Sequence, residues 1–353
     1  MSAADSLFVR ACRGGPVDRV PVWFMRQAGR SLPEYRAARG HGSVLDAIRR
    51  PELAAELTLQ PVRRYGVDAA ILFGDIVVPA AAVGFGVEVV AGRGPVVDKP
   101  FRHADDLARL RPLVPEEDTP YVLETVRLVA SELEGLGLPI IGFAGAPFTV
   151  ASYLVEGGAS RTYARTKTLM RGEPGLFARL LDVLADMAIA TLRAQVGAGA
   201  SAVQLFDSWV GTLSVEDYTR HVLPATEKVF RHLEDLDVPR IHFGVGTGEL
   251  LGVMAGAGAE VVGVDWRVPL DEARRRVGPG HTLQGNLDPT ACLAPWDVVE
   301  AEARDVLARG AGTGHVFNLG HGVLPETDPS VLERLVELVH TTTARCAPVS
   351  GAP

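Results

Sequence analysis

Short apolar runs alternate along this chain with longer amphipathic ones. Eight of the short runs, at roughly 21–25, 69–75, 139–145, 201–207, 240–245, 260–266, 282–286 and 314–319, have the length and content of buried strands. The stretches between most of them read as helices, and such alternation predicts repeated βα units around a parallel sheet. Two helix starts are legible in detail. Asp328 and Pro329 open a run carrying Val331, Leu332, Leu335, Val336 and Val339, with Asp as the cap and Pro in the first turn. Thr119 and Pro120 open another in the same manner; its stripe is Val122, Val126, Val129 and Leu133, and it stops at Gly135 and Gly137. Eight strands with intervening helices predict an α/β fold, a single (β/α)8 TIM barrel. Residues 83–100, VGFGVEVVAGRGPVVDKP, break the alternation and predict a small extra β-hairpin excursion with no chemistry of its own. No low-complexity linker interrupts the chain, so one barrel domain is expected over 1–353, with a frayed C-terminal tail from about residue 347.

Composition narrows the function class. The 353 residues are 47% hydrophobic and 22% charged, enough apolar content for a large core and too balanced for disorder. A net charge of -8 argues against a nucleic-acid partner, which calls for a broad basic face. Cys12, Cys292 and Cys346 are odd in number and widely spaced, giving neither a disulfide framework nor a metal pair. The N-terminus lacks the apolar core of a signal peptide, and no run approaches the roughly 18 apolar residues of a membrane span. A cytoplasmic enzyme without a membrane segment is the expectation.

Positive charge is instead gathered in one place. In residues 21–39, PVWFMRQAGRSLPEYRAAR, the arginines 26, 30, 36 and 39 meet only Glu34 as a nearby acid. Their guanidinium forks match carboxylate or phosphate, so Arg26 and Arg30, four residues apart, can each grip an anionic group. Between them Ala28 and Gly29 leave backbone N–H groups open to a close ligand, and Gly29 tolerates positive φ. The competing reading is a solvated basic loop. Against it, Trp23 and Met25 alternate with Val22 and Phe24 as a buried strand would, aiming the loop from a rigid scaffold.

The run P-x-W-x-M-R-Q-A-G-R over residues 21–30, continuing into Pro33, Glu34, Tyr35 and Arg36, resembles the first signature of the uroporphyrinogen decarboxylase family. Residues 142–158, GFAGAPFTVASYLVEGG, are similar to its second. The resemblance extends over nearly the whole chain. It implies the same barrel fold, a homodimer, and as substrate uroporphyrinogen III, whose four acetate side chains become methyls to give coproporphyrinogen III and CO2 in heme biosynthesis. It also implies no metal and no cofactor, because a pyrrole protonated beside the acetate-bearing carbon is its own electron sink.

Barrel enzymes carry their reactive groups at the carboxyl ends of strands. Here those ends offer Asp75, Tyr153 in the loop beyond the third strand, Ser208 and His321, besides Arg26 and Arg30. Each has a duller alternative: Asp75 as a helix cap, Tyr153 as a buried ring, Ser208 bonded to its own turn, His321 as a structural histidine. Asp207 and Asp265 are read as structural acids. Taken with both signatures, Asp75, Tyr153, Ser208 and His321 coincide with residues that the resembled family uses on its substrate. The resemblance therefore implies Asp75, Arg26, Tyr153 and His321 as catalytic groups, and Arg26, Gln27, Ala28, Gly29, Arg30, Arg39, Asp75, Tyr153, Ser208 and His321 as the binding set. Asp75 would stabilise the pyrrole cation, the arginines would hold carboxylates, and the proton donor stays open among an arginine, Tyr153 and His321.

Two other motifs lead elsewhere. Gly244, Gly246 and Gly248 follow a strand like part of a phosphate loop but lack the full dinucleotide spacing. His242 stands where corrinoid-dependent methyltransferases of the same superfamily show a His-x-Cys zinc pair, but Gly244 occupies the cysteine position. That alternative is disfavoured on this ground.

Overall fold

The computed structural model describes residues 3–90, 93–312 and 314–344, so the expected fraying from about residue 347 lies outside the described residues. Nine strands occur among them: β1 (Ala70–Ile71), β2 (Val87–Val90), β3 (Gly94–Val97), β4 (Ile140–Gly145), β5 (Ala202–Asp207), β6 (Arg240–Gly244), β7 (Val261–Gly263), β8 (Thr282–Leu287) and β9 (His315–Leu319). Seven pair in parallel in the order β1-β4-β5-β6-β7-β8-β9, as a curled sheet with helices between its strands, while β2 and β3 form the predicted hairpin. Gly145 pairs with Phe206, Asp207 with Gly244 and Leu287 with Leu319, which brings the carboxyl ends of these strands level.

The predicted strand at 21–25 is the main correction. Val22 makes a single parallel bridge to Phe317, and no ladder continues from it. Phe317 donates to the Pro21 carbonyl at 2.9 Å, Trp23 donates to Phe317 at 3.3 Å, and the Asp68 N–H reaches the Val22 carbonyl at 2.8 Å. The remaining N–H groups go to side chains: Val22 to Asp68 Oδ2 (2.8 Å), Phe24 to Gln27 Oε1 (3.0 Å) and Met25 to Asn318 Oδ1 (3.1 Å). Buried main-chain donors must be bonded, and here side chains do what a neighbouring strand would otherwise do. The run predicted at 69–75 shortens for a related reason. Leu72 still donates to Ile141, but the Phe73 N–H turns to the Thr58 hydroxyl at 3.0 Å and the chain leaves the sheet.

Below the strand ends the interior carries a polar chain. The Trp23 indole donates to Gln284 (3.1 Å) and Gln284 to Gln204 (2.9 Å), all three buried. Of the two helix starts, Asp328 caps Pro329–Thr343 by accepting from the Ser330 N–H at 2.9 Å. Thr119 does not cap Pro120–Glu134. It closes the preceding short helix, donating its hydroxyl to Pro115 at 3.2 Å, and Pro120 alone pre-sets the new turn. Leu123, rather than Val122, completes the buried stripe with Val126, Val129 and Leu133.

Asp68 ties three parts of the chain together. It is 4% exposed and accepts from the Val22 N–H, from Arg19 at 2.5 Å and from His340 Nε2 of the last helix at 2.8 Å. Asp68→Ala leaves buried donors unpaired and should lower unfolding free energy by roughly 3 kcal/mol. Urea denaturation checks this, and a loss below about 1 kcal/mol would contradict the role.

Candidate functional site

A cleft of about 1320 Å³, open mouth included, lies at the carboxyl ends of the strands. Its floor is a run of edge-to-face rings from β4, β5, β6 and the turn after β9: Phe143 to Phe206 at 5.5 Å, Phe206 to Phe243 at 6.0 Å, and Phe243 to His321 at 6.4 Å. Arg26, Ala28, Asp75, Tyr153, Ser208 and His321 all line this one cavity. Gln27, Gly29, Arg30 and Arg39 are not among its lining residues.

The cationic loop divides into working parts. Arg26 is exposed, with a φ of 60° that few non-glycine residues adopt. Its stem lies so close to Gly322 that a Cβ there would sit 2.4 Å from Arg26 Cδ. Among the described residues neither Arg26 nor Arg30 makes a side-chain hydrogen bond or ion pair, which leaves the Arg26 fork open to the cleft. Arg36 and Arg39 are used within the loop. Arg36 donates to the carbonyls of Arg30 (2.5 Å) and Ser31 (3.3 Å), and Arg39 to Gly42 (2.8 Å). Glu34 answers Arg64 at 3.6 Å rather than this set. Gln27 also departs from its expected place. It is fully buried, and besides holding Phe24 its amide donates to Ala69 at 3.2 Å, so the side chain braces the loop from beneath. The positive φ expected at Gly29 falls on Arg26 instead; Gly29 is needed because a Cβ there would meet the Arg26 carbonyl at 2.8 Å.

Asp75 faces the cleft and does not cap the next helix, whose N-cap is Val77 without a side-chain bond; its Oδ1 accepts the Val77 N–H at 3.1 Å in the turn that precedes that helix. Burial raises the carboxyl above the ordinary aspartate value, against the Val77 N–H and the Arg26 charge, which pull it down. Tyr153 sits on the helix Pro147–Glu156, not in a loop. Burial and the nearby Asp75 push its phenol up to about 12, with the Trp209 side chain and Arg26 opposing, so it keeps its proton at neutral pH. His321 moves the other way. Burial, then Arg26, pushes it down to about 4, with Asp265 opposing. Its Nδ1 accepts the Gly322 N–H at 2.6 Å, which leaves the proton of the neutral ring on Nε2. At neutral pH His321 is therefore a hydrogen-bond donor and not an imidazolium acid. Ser208 lines the cleft, and among the described residues its hydroxyl makes no bond to its own turn.

The two acids read as structural are held inside. Asp207 is fully buried and accepts the Thr149 hydroxyl at 2.8 Å. Asp265, 2% exposed, accepts the N–H groups of Gly246 and Arg267. The bond to Gly246 uses a donor that a phosphate loop would offer its ligand. His242 is fully buried against the Phe230 ring, centroids 5.3 Å apart. Among the described residues no three His, Cys, Asp or Glu side chains converge as a metal cluster.

Sequence reasoning missed the cleft walls. The hairpin, expected to carry no chemistry, contributes Val89, Gly94 and Pro95, and Trp209 stands against Tyr153 with centroids 5.6 Å apart. Alternation along β2 marks one buried face but not what that face covers. Trp209 was detectable only as the neighbour of Ser208.

Comparison with known proteins gives a consistent result. The family model described as uroporphyrinogen decarboxylase matches residues 3–342. The uroporphyrinogen decarboxylase of Salinispora tropica is 61% identical over 343 residues, covering 97% of this chain and 92% of the relative. That of Streptomyces coelicolor is 62% identical over 342 residues, covering 97% and 96%. Among solved structures, a methyltransferase from Methanosarcina mazei superposes with a TM-score of 0.78 at 22% identity, covering 97% of this chain and 99% of the other. A B12-independent methionine synthase from a Shewanella species gives 0.54 at 14%, covering 86% and 91%. At these identities the two structures share the fold alone. No described helix is long and apolar enough to cross a membrane.

The His321 shift sets a pH dependence. Unfolded, the ring takes its proton near pH 6.5; folded, only near 4, so stability is intact above 6.5 and falls as pH drops through this window. His321→Asn should remove about 2 kcal/mol of the stability lost between pH 7 and pH 5, measured by denaturant unfolding at both values. The same loss in variant and wild type would contradict the depressed value.

Proposed function

Because this chain belongs to the uroporphyrinogen decarboxylase family, we propose that its cleft receives uroporphyrinogen III and that Asp75, Arg26, Tyr153, Ser208 and His321 bind and process it there. The chain is a carboxy-lyase that converts acetate side chains of uroporphyrinogen to methyls with release of CO2. One observation carries the assignment of the site. Asp75 is a carboxylate in a ring-lined cleft with one oxygen held by a main-chain N–H and no cation paired to it, although Arg26 is near enough to influence its titration.

The chemistry is balanced within the substrate. A proton adds to the ring carbon beside the acetate-bearing carbon, making the pyrrole cationic. The bond to the carboxylate breaks, CO2 leaves, and the electron pair enters the ring as an exocyclic methylene. A second proton converts that methylene to methyl, and the first is returned as the pyrrole reforms. The net change is one CO2 lost and one proton taken up. Asp75 is suited to accept the pyrrole N–H groups and to face the cation as it forms. A carboxylate about 4 Å from a unit positive charge contributes about 4 kcal/mol at an effective dielectric of ~20, or about three decades of rate. Arg26 offers an unpaired fork to a substrate carboxylate. The Tyr153 phenol and the Nε2–H of His321 are protonated donors suited to further carboxylate oxygens.

Arg30 and Arg39, the latter tied to its own loop, fit this reading as outer charges that draw in a polyanion rather than as contacts in the cavity. We infer also that the extended segment at 21–25, bonded to Phe317 on one side and Asp68 on the other, acts as an eighth stave closing the sheet into a barrel. Family membership supports two further readings, a homodimer and a cytoplasmic location.

The test is anaerobic incubation of metal-stripped protein with uroporphyrinogen III and separation of the oxidised products by carboxylate number. Stepwise loss from eight carboxylates to four without added cofactor is expected; unchanged substrate would refute the reading. In the same assay Asp75→Asn should lower kcat on the order of a thousandfold with KM nearly unchanged, and near-normal turnover would remove its role. Arg26→Lys keeps the charge but loses the fork, so it should raise KM about tenfold. Unchanged KM would count against carboxylate gripping.

A further inference from the structure

Two cleft residues, Tyr153 and Ser208, come from different elements, and one buried hydroxyl joins those elements. Thr149 is fully buried on the helix Pro147–Glu156 and donates to Asp207 Oδ1, at the end of β5, at 2.8 Å. Ser152, one turn into the helix, donates to the carbonyl four residues back, Phe148, at 2.8 Å, but Thr149 lies in the first turn, where the residue four back, Gly145, belongs to β4. Thr149 instead points its proton at Asp207. Its oxygen is then free to accept the Trp209 N–H, at 3.2 Å. One side chain thus pins the helix to the residues on both sides of Ser208.

Thr149 and Tyr153 are four apart and share a helix face. Above the pinned main chain the Trp209 ring stands between two tyrosines, with centroids 5.6 Å from Tyr153 and 5.4 Å from Tyr163. The anchor is an unusual one. Asp207 is a fully buried acid whose Oδ2 has no hydrogen-bond partner and lies 3.7 Å from Nε2 of the equally buried His242. Burying such groups costs stability, and a network of this kind contributes chiefly to fixing a geometry.

We propose that Thr149 is a positioning residue for the decarboxylation, anchored by Asp207 and setting the placement of Tyr153 relative to Ser208 and Trp209. This rests on the cleft reading given above for Tyr153. Thr149 does not line the cleft and touches no substrate; it acts through the helix and the turn.

The experiment combines steady-state kinetics on uroporphyrinogen III with amide hydrogen exchange of the peptide spanning 206–213, for Thr149→Val, Thr149→Ser, Tyr153→Phe and the Val/Phe double variant. Thr149→Val keeps the side-chain shape and removes both bonds, so kcat should fall about tenfold with KM within about twofold, since small misplacements near the chemistry are costly. Thr149→Ser should recover kcat to within about twofold, and in the Tyr153→Phe background the Val substitution should add less than about twofold. Exchange at 206–213 should quicken in the Val variant and not in the Ser variant. Wild-type kcat with unchanged exchange in Thr149→Val overturns the proposal. An equal loss in both backgrounds overturns action through Tyr153 while leaving the cleft reading intact. If Tyr153→Phe alone retains full turnover, the role given to Tyr153 fails, and exchange decides the bridge by itself: quicker supports it, unchanged overturns it. Should Thr149→Val not fold, Thr149→Cys, a weak donor and acceptor of similar size, serves the same comparison.

Discussion

Buried main-chain N–H groups need partners, and at Val22, Phe24 and Met25 those partners are side chains, while Trp23 bonds to the Phe317 carbonyl. Asp68 takes Val22, Gln27 takes Phe24, and Asn318 takes Met25. The arrangement links the segment both to the start of β1 and to the end of β9, and it ends where Arg26 turns to a φ of 60°. Val323 donates to the Met25 carbonyl at 2.8 Å, and Gly322 leaves room for the arginine stem. The direction in which Arg26 faces is thus a property of two distant parts of the chain, held together by hydrogen bonds that neither part can make alone.

The electrostatics of the cleft follow from that geometry. Arg26 influences Asp75, Tyr153 and His321 at once, and its effect on each is secondary to burial. Burial acts in opposite senses on the acidic and basic groups, raising the carboxyl and the phenol and lowering the imidazole. The outcome is two donors that are neutral at pH 7, Tyr153 and His321, beside the Arg26 guanidinium and an Asp75 carboxyl that burial raises above its ordinary value. Such a set suits a substrate that brings many negative charges and develops one positive charge during reaction. A cleft of paired ions would meet the first need and leave the second unmet, because its carboxylate would already be neutralised.

Much of this was legible beforehand because strong local signals carry it. Apolar runs of strand length located all seven parallel strands, since burial on both faces leaves a continuous apolar run. Asp328 with Pro329 marked a helix start whose cap bond lies two residues away in sequence. The hairpin was visible as a break in the alternation. Thr119 shows the limit of such signals. Its type and spacing equal those of a cap, but the hydroxyl finds Pro115 first. Gln27 shows the same limit within a signature: a polar residue between two arginines looks like a ligand group, and only the positions of Phe24 and Ala69 reveal that it faces inward.

The sequence by itself determined the family, the strand and helix order, and the residue types that meet a polyanion, because these depend on chemistry and spacing along the chain. Tertiary structure alone decided which of the four arginines faces the cleft, that the hairpin walls it, that His321 stays neutral, and that Thr149 bridges Asp207 to Trp209. Each of these depends on a partner tens or hundreds of residues away, and on how much water the assembled fold excludes. Periodicity records that a position is buried, but not what it is buried against.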